Sequence, residues 1–392
     1  MWISLALVAC TAPDKDTPAD TSGSGTPLDS ADSTLAESTD STPVDTSPDA
    51  STPTESGAGE TAGETVGETA PDPDTAAPPD PCFADIRSPV DYASSGAVLN
   101  GTCTGTNHQD IVGVQRVVFV GDSVTAGAPI PTEWGAWELT DASEWYRNLL
   151  AAELTTRWGL EAPDWFWQNV DLTTGESYTK ESGDFANCSK WGARTDDLAK
   201  DNAQLADCLP EEQRGVHNLV IMTVGGNDLY NLLDHLKTGD VDEATIRAEW
   251  AEAITDLEDA IHWLKDDPTM FPGGIDVIVA DIFDVTDATS AADIADCEGA
   301  QLIGLSEPLV DPLTAELAIQ WEQALLTLAV DTDIDVAFMG ETFCGHGYNW
   351  DDTAGRCYRG GDPNIYFDVS CEHPSPYGHT AIAEMMLGVI DE

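Results

Sequence analysis

Residues 117–120 form an uninterrupted apolar run, Val-Val-Phe-Val, that leads into the turn Gly121-Asp122-Ser123. An apolar β-branched run bounded by glycine is typical of a central parallel strand that is covered on both faces. In open α/β sheets, ligands bind beyond the carboxyl ends of such strands, which is where Ser123 stands. Gly121 and Gly127 permit a sharp turn, so Ser123 can begin a helix whose free N–H groups face an anion. The alternative is an Asp-Ser turn that only caps a helix.

From Cys82 onward the chain alternates short apolar runs with longer amphipathic segments. Alternating β and α units predict a parallel sheet with helices on both faces. One domain over residues 82–392 accommodates all of them. The further predicted strands are 217–224, 275–280 and 335–339, and the predicted helices are one beginning near 141, then 242–265, 312–330 and 376–391.

The segment before this domain has a different composition. Residues 11–81 are mostly Thr, Ser, Pro, Asp, Glu, Gly and Ala, and include three Gly-Glu-Thr repeats within 59–70. Such a segment cannot bury enough apolar surface to offset its loss of conformational entropy on folding. We therefore predict a disordered acidic linker, whose r.m.s. span as a flexible chain is on the order of 45–50 Å.

Residues 1–10 are apolar but too short to span a bilayer as a helix. Within them, Leu7-Val8-Ala9-Cys10 resembles the lipobox of bacterial lipoproteins, in which the signal is removed and the cysteine becomes the lipidated N-terminus. No Lys or Arg precedes the apolar run, so either the true start lies upstream or the signal is atypical. The alternative is a plain signal peptide in which Cys10 occurs by chance. We expect an exported protein, either anchored in the bacterial cell envelope or extracellular.

Eight cysteines follow Cys10, all of them after residue 81. An even number of cysteines in an exported chain suggests disulfides, although eight cysteines allow 105 pairings. A metal site is the weaker alternative because no Cys-x-x-Cys pair is present. We predict no metal and no cofactor. Pairing of sequence neighbours predicts the disulfides Cys82–Cys103, Cys188–Cys208 and Cys344–Cys357, which leaves Cys297–Cys371.

The chain has a formal net charge of −57. Its first 81 residues hold only 16 of the 72 acidic and one of the 15 basic residues, so residues 82–392 carry 56 acidic against 14 basic side chains. A domain this acidic does not bind nucleic acid or anionic lipid through its charge. The simplest interpretation is a solvated surface. Calcium binding is the alternative, although no Asp-x-Asp-x-Asp-Gly loop supports it.

Three further segments carry groups that suit catalysis at Ser123. Gly192 precedes a predicted helix, so its N–H can point at a developing oxyanion. Asn227 follows the strand at 217–224 and can offer its side-chain amide to the same oxygen. The segment from His373 to His379 supplies a base, because a hydroxyl is a poor nucleophile until an imidazole takes its proton. Taken singly, these features are explained equally well by a tight turn, a helix cap and a buried helix histidine.

Taken together and in this order, the segments resemble the sequence blocks of the SGNH hydrolases, the GDSL-type esterases and lipases, over about residues 110–390. This resemblance implies a three-layer α/β/α, flavodoxin-like fold with a mostly parallel central sheet. The matching segments are Gly121–Gly127 for block I, Gly192 for block II, Gly225–Asp228 for block III, and His373-Pro374 with Gly378-His379 for block V.

The resemblance also implies a role for each matched residue. Ser123 would be the nucleophile, and His373 the general base and then the general acid. The Ser123 N–H, the Gly192 N–H and the Asn227 side chain would form the oxyanion hole. His373 is preferred over His379 because it begins the His-Pro element, and His379 is expected to pack in the closing helix.

One position departs from the family. Block V usually has Asp three residues before the histidine, where this chain has Ser370. An orienting partner for His373 is still needed to fix its tautomer. The Ser370 backbone carbonyl is the favoured candidate, as in some secreted actinobacterial members, and Asp368 and Glu372 are the alternatives. The segment 343–347 also resembles those secreted esterases, in which it would be a disulfide-stapled loop beside the site.

The resemblance implies a serine hydrolase that cleaves carboxylic esters of small molecules, lipids or polysaccharides through an acyl-enzyme. An α/β-hydrolase is disfavoured because its elbow is Gly-x-Ser-x-Gly, whereas Thr125 occupies the last position here. The alternatives are an acetyl-polysaccharide deacetylase of the same fold and an inactive surface module that binds glycans or envelope components. We expect a monomer that binds no nucleic acid and meets the membrane only through a lipid anchor at Cys10.

Overall fold

The computed structural model describes residues 104–131, 139–200, 203–283, 312–355, 357–361 and 363–391. The predicted signal at 1–10 and linker at 11–81 lie outside these residues, as do Cys82, Cys103 and Cys297. The lipid anchor, the linker and the Cys82–Cys103 disulfide therefore stay predictions. Within the described part of the chain, no helix is long and apolar enough to cross a membrane.

A six-stranded sheet runs through the centre of the domain in the order β4-β5-β1-β6-β7-β8. All neighbouring strands in it are parallel except β4 and β5, and β2 and β3 form a separate antiparallel pair. The mostly parallel sheet implied by the family resemblance is confirmed. The strands are β1 (Arg116–Gly121), β2 (Val170–Asp171), β3 (Glu176–Ser177), β4 (Glu181–Ser182), β5 (Phe185–Asn187), β6 (Asn218–Thr223), β7 (Ile275–Ala280) and β8 (Asp335–Ala337).

The helices predicted at 242–265, 312–330 and 376–391 are present with nearly the same bounds, whereas the helix expected to begin near 141 begins at Tyr146. Asp242 caps the helix that follows it by accepting a hydrogen bond from the Thr245 N–H. Asp141 and Glu144 form a capping box on a short 3₁₀ helix. The α-helices are α1 (Ser123–Ala126), α2 (Tyr146–Trp158), α3 (Trp165–Gln168), α4 (Thr195–Ala199), α5 (Gln204–Cys208), α6 (Gly226–Thr238), α7 (Glu243–Lys265), α8 (Pro312–Thr332), α9 (Met339–Phe343) and α10 (Pro376–Asp391).

Several details differ from the predictions. The strand expected at 335–339 ends at Ala337, because Met339 already begins α9. Gly192 does not directly precede a helix, because it adopts a left-handed φ of 74° in a turn, and α4 starts three residues later at Thr195. Strands β2 to β5 and the 13-residue helix α6 were not predicted at all.

Both faces of the sheet are covered, which makes the fold three-layered. Successive side chains of a strand point to opposite faces. Val118 and Val120 belong to a buried cluster with residues of α7 and α8, whereas Val117 and Phe119 belong to one with residues of α2 and α10. Each fully buried Val or Phe stabilises the fold by roughly 1.5–3 kcal/mol relative to its exposed state. This burial fixes β1 in the centre and so fixes the carboxyl end from which Ser123 projects.

Two of the predicted disulfides are present among the described residues, Cys188–Cys208 and Cys344–Cys357. They close segments of 20 and 13 residues. Cys371 is also disulfide-bonded. Its predicted partner, Cys297, lies outside the described residues.

Candidate active site

Ser123 is held by the turn that joins β1 to α1. Gly121 has a φ of 114°, and a Cβ atom at this position would lie 1.9 Å from the Thr223 carbonyl oxygen of β6. The Gly121 N–H donates to Gln204 Oε1 at 2.6 Å, and Gln204 Nε2 donates to the Gly121 carbonyl at 3.1 Å. Only glycine permits this approach of the two strands. The turn therefore places Ser123 at a fixed point beyond the sheet.

Asp122, and not Ser123, provides the cap of α1. Its carboxylate accepts hydrogen bonds from the Val124 N–H at 3.0 Å and from Thr223 Oγ1 at 2.8 Å. Thr223 in turn contacts Thr125, whose hydroxyl lies 2.5 Å from the Tyr146 hydroxyl. Burial raises the pKa of Asp122 to about 6. Because Asp122 caps the helix, the hydroxyl of Ser123 is not needed for capping.

Arg147 of α2 supports the other end of α1, and sequence reasoning missed it. Its side chain is fully buried and donates hydrogen bonds to the carbonyl oxygens of Thr125, Ala126 and Trp167 at 3.1, 3.0 and 2.8 Å. The guanidinium also lies 4.5 Å from the centre of the Trp167 ring. Burial lowers the pKa of Arg147 to about 9. Its helical phase with the apolar Leu150, Ala151 and Leu154 was the available signal that it points inward.

His373 lies directly against Ser123, although 250 residues separate the two in sequence. Its Nε2 atom is 2.9 Å from Ser123 Oγ. Both side chains are buried, with exposed fractions of 3% and 8%. Burial lowers the pKa of His373 to about 4, so the imidazole is neutral near pH 7. A neutral imidazole at this distance is able to accept the serine proton.

The other ring nitrogen of His373 contacts the hydroxyl of Ser370, whereas the sequence favoured the backbone carbonyl of Ser370 as the partner of the imidazole. His373 Nδ1 is 3.0 Å from Ser370 Oγ, which donates to Asp368 Oδ1 at 2.5 Å. The turn explains the difference. The Ser370 N–H donates to Asp368 Oδ1 at 2.8 Å, and Cys371 has a φ of 65°, so the Ser370 side chain folds back over His373. The structure therefore brings Ser370 and Asp368 together with His373.

Glu372, the third partner considered for the imidazole, is partly buried, and burial raises its pKa to about 7. Burial raises the pKa of Tyr230 on α6, and the charge of Glu372 raises it further. His379 packs inside α10 as expected, 1% exposed and stacked on Tyr146 with 6.4 Å between ring centres. Burial lowers the pKa of His379 to about 3. His379 is thus a neutral core residue.

The loop that contains Gly192 is tied to both neighbouring elements of the site. The Lys190 N–H donates to the Gly121 carbonyl at 2.9 Å, and Trp191 Nε1 donates to the Gly127 carbonyl at 2.8 Å. On its other side, Asn227 Nδ2 donates to the Ala193 carbonyl at 2.9 Å. A side-chain amide carries two N–H groups, so the second one of Asn227 stays available for a ligand.

Asp228, next to Asn227, completes the tie between α6 and α4. Its carboxylate accepts hydrogen bonds from the Thr195 hydroxyl at 3.0 Å and from the Thr195 N–H at 3.2 Å. Burial raises the pKa of Asp228 to about 7. Across the described ranges, no group of three or more His, Cys, Asp or Glu side chains is arranged to hold a metal ion.

Three solved structures illustrate what the chain is similar to. The chain is similar to an acetylxylan esterase from Geobacillus stearothermophilus, with 16% identity, a TM-score of 0.38, and coverage of 72% of this chain and 97% of that one. It is similar to an extracellular lipase from Streptomyces rimosus, with 16% identity, a TM-score of 0.39, and coverage of 70% and 100%. It is also similar to a phospholipase A1 from Streptomyces albidoflavus, with 15% identity, a TM-score of 0.40, and coverage of 70% of this chain and 99% of that one. No curated protein matches the chain.

The sequence itself decides the family. The model of the GDSL-like lipase/acylhydrolase family matches residues 117–386, which is more than half of the chain. The match begins in β1 and ends in α10, so it includes Ser123, Asn227 and His373. The chain belongs to the GDSL-like lipase/acylhydrolase family and is a carboxylic ester hydrolase.

Proposed function

We propose that this hydrolase cleaves its esters through an acyl-enzyme on Ser123, with His373 as general base and then general acid. The observation that carries the proposal is the 2.9 Å contact between His373 Nε2 and Ser123 Oγ. A hydroxyl becomes an effective nucleophile when an adjacent base accepts its proton. The lowered pKa of His373 keeps its nitrogen free to accept that proton at neutral pH.

In the first half of the reaction, Ser123 Oγ attacks the ester carbonyl and its proton moves to His373 Nε2. The carbonyl oxygen becomes an oxyanion, which the Ser123 N–H, the Gly192 N–H and the free N–H of Asn227 stabilise. The intermediate collapses as His373 returns the proton to the leaving alcohol. In the second half, water attacks the acyl-enzyme, His373 accepts the water proton, and the acid is released with Ser123 restored.

The proposed substrates are carboxylic esters of small molecules, lipids or polysaccharides. No step of the proposed reaction calls for a metal or cofactor. We also propose that the protein is exported, anchored through Cys10 and monomeric. The disulfides Cys188–Cys208 and Cys344–Cys357 support export, because disulfides persist in oxidising compartments.

The test uses the purified full-length chain with p-nitrophenyl esters from acetate to octanoate and with acetylated xylan. We expect Ser123→Ala and His373→Ala each to lose on the order of 10⁵–10⁶ in kcat. His262→Ala, at an exposed position of α7, is the matched control and should retain full activity. The preferred acyl length separates esterase from lipase, and acetate release from xylan identifies a polysaccharide deacetylase. A wild-type protein no more active than Ser123→Ala would instead be a binding module.

A further inference from the structure

We propose that Asp368 orients and polarises His373 through the hydroxyl of Ser370, as the last member of a four-residue relay, Ser123-His373-Ser370-Asp368. This inference rests on the proposed function and deepens it. The relay differs from a triad, in which an aspartate bonds the histidine directly. It also differs from a dyad, in which a backbone carbonyl orients the histidine. Asp368 and Ser370 are thus positioning residues, since neither touches the ester.

The surroundings of Ser370 Oγ decide where its single hydrogen goes. The backbone N–H groups of Glu372 and His373 both point at this oxygen, each at 3.2 Å. Both are long contacts on the acceptor side of the oxygen, whereas Asp368 Oδ1 lies only 2.5 Å away. A hydroxyl has one hydrogen to donate, and an ionised carboxylate can only accept. The Ser370 hydrogen therefore lies on the bond to Asp368.

This direction fixes the tautomer of His373. Because Ser370 Oγ donates to Asp368, it can only accept from His373 Nδ1, so Nδ1 carries the imidazole hydrogen. Nε2 then presents its lone pair to Ser123, which is the tautomer a general base needs. When His373 accepts the serine proton, its positive charge faces the dipole of Ser370 and, beyond it, the carboxylate of Asp368.

The relay depends on the ionisation of Asp368. A proton on Asp368 removes the charge that stabilises the imidazolium. That proton also has no favourable position on either oxygen. Asp368 Oδ2 is buried without a hydrogen-bond partner among the described residues. A proton on Oδ1 would reverse the direction of the bond between Asp368 and Ser370 and of the bond between Ser370 and His373. The proposed relay is therefore active only when Asp368 is ionised, and activity should fall as the pH falls through the pKa of that residue.

Several groups around the relay influence its titration. Burial is the main cause that raises the pKa of Asp368 to about 8, and the charge of Glu372 raises it further. Tyr348 donates to the Asp368 carbonyl at 2.9 Å. His379 interacts electrostatically with both His373 and Arg147, and the side chains of His379 on α10 and Arg147 on α2 are buried. Because the pKa of His373 itself is low, Asp368 sets the acidic limb of the pH profile.

The experiment measures kcat/KM for p-nitrophenyl acetate from pH 5 to 10, corrected for background hydrolysis. We expect wild-type activity to rise with an apparent pKa near 8. Asp368→Asn should lose at least about tenfold at pH 9, less than the roughly 10⁴-fold cost of altering a directly bonded aspartate, and should lose the step near pH 8. Ser370→Ala should show the same loss, and the double variant should be no worse than either single variant.

A transposed variant, Asp368→Ser with Ser370→Asp, keeps the relay falsifiable if the single variants fold poorly. It places a carboxylate where the family pattern has one, so activity should return to within about tenfold of wild type with its acidic limb below pH 8. Ser375→Ala is the matched control. The Ser375 hydroxyl donates to the Ile365 carbonyl at 2.8 Å, so its loss should lower stability and leave the pH profile unchanged.

The ¹⁵N shifts of His373 read the tautomer without any substrate and separate the two proposals. The relay requires the hydrogen on Nδ1 above pH 8 and a change at lower pH that Asp368→Asn abolishes. A wild-type pH profile and tautomer in Asp368→Asn would overturn the relay, as would full activity in Ser370→Ala. An inactive wild type that still shows the tautomer change would overturn the proposed function alone.

Discussion

Ser123 and His373 lie 2.9 Å apart, yet the two halves of the site are held by different kinds of structure. The nucleophile side, residues 116–127 with the elements bonded to them, is built on a paired strand of the central sheet, and side chains such as Arg147 add hydrogen bonds to it. β1 pairs with β5 on one side and with β6 on the other. The backbone N–H and carbonyl of Gly121 both hydrogen bond with the side-chain amide of Gln204.

The base side, residues 363–375 with the loop that the Cys344–Cys357 disulfide closes, lies outside the strands of the sheet, and side-chain hydrogen bonds add to the backbone hydrogen bonds of its turns. Asp368 bonds the Ser370 hydroxyl and N–H, and Tyr348 donates to the Asp368 carbonyl. Ring stacking between His346 and Tyr366, with 3.8 Å between centres, joins the loop to this segment.

This difference determines which substitutions each side tolerates. Backbone pairing does not depend on which apolar side chain occupies a strand position, but it fails when two strands cannot approach each other. A network of side-chain hydrogen bonds has the opposite property, because removing one partner leaves another buried polar group unsatisfied. We therefore expect overlap of backbone atoms to be the main cause of lost stability on the nucleophile side, and loss of the Asp368–Ser370–His373 hydrogen bonds to change the pH dependence of catalysis on the base side.

The largest expected effect is that of Gly121→Ala on the nucleophile side. The added methyl would overlap the Thr223 carbonyl, which lies 1.9 Å away, and the residue would keep a φ of 114°. Overpacking and left-handed backbone strain together cost about 4 kcal/mol or more. Urea unfolding should show this loss, or the protein should fail to fold. Gly215→Ala, where nothing lies within 4 Å of the new methyl, should be neutral, and equal stabilities of the two variants would contradict this prediction.

The next largest effect is that of Asn227→Ala. This substitution tests whether Asn227, beside the nucleophile, stabilises the oxyanion. Removing one such donor costs about 10²–10³ in kcat. The stability should fall by only about 1 kcal/mol, because one hydrogen bond to the Ala193 carbonyl is lost. Steady-state kinetics and thermal unfolding measure the two quantities separately.

Asn169→Ala is the matched control for this substitution. Asn169 also donates its side-chain amide to a backbone carbonyl, that of Trp165, at 3.0 Å. It should lose similar stability and no kcat. A similar kcat for both variants would remove Asn227 from the proposed oxyanion hole.

The same contrast explains what the sequence could predict. β1 and Ser123 follow from a local apolar run with glycine at its end, and the long helices follow from their spacing and caps. The parallel sheet follows from the alternation of these elements. Each of these features depends on residues close together in the chain, so a short pattern contains the needed information.

The remaining features depend on context that a short pattern lacks. β5 has three residues, one of them the polar Asn187, and it becomes a strand only because β1 lies beside it. The choice between the carbonyl and the hydroxyl of Ser370 depends on the left-handed backbone of Cys371. Arg147 is the exception, because its position on the apolar face of α2 was visible in the sequence.

The smallest expected effect is a difference in kcat between variants that lack one of the two disulfides. One disulfide lies on the nucleophile side and the other on the base side. Cys188–Cys208 anchors α5, which carries Gln204, and Cys344–Cys357 closes the loop beside the base. Replacing either pair with alanine should cost about 3 kcal/mol, because loops of 20 and 13 residues differ little in closure entropy. Chemical unfolding should therefore give similar free energies of unfolding for the two double variants.

Their catalytic effects should differ. On the base side, the His346 carbonyl accepts from the Tyr366 N–H at 2.9 Å, and the Tyr366 carbonyl accepts from the Ser375 N–H at 2.7 Å, two residues from His373. Releasing this loop can displace the imidazole, and small displacements are costly, so we expect a loss of about tenfold in kcat. On the nucleophile side, β5 and β6 still hold β1, and kcat should change little. Equal losses of kcat would mean that the position of Ser123 depends on its neighbouring disulfide as much as that of His373 does.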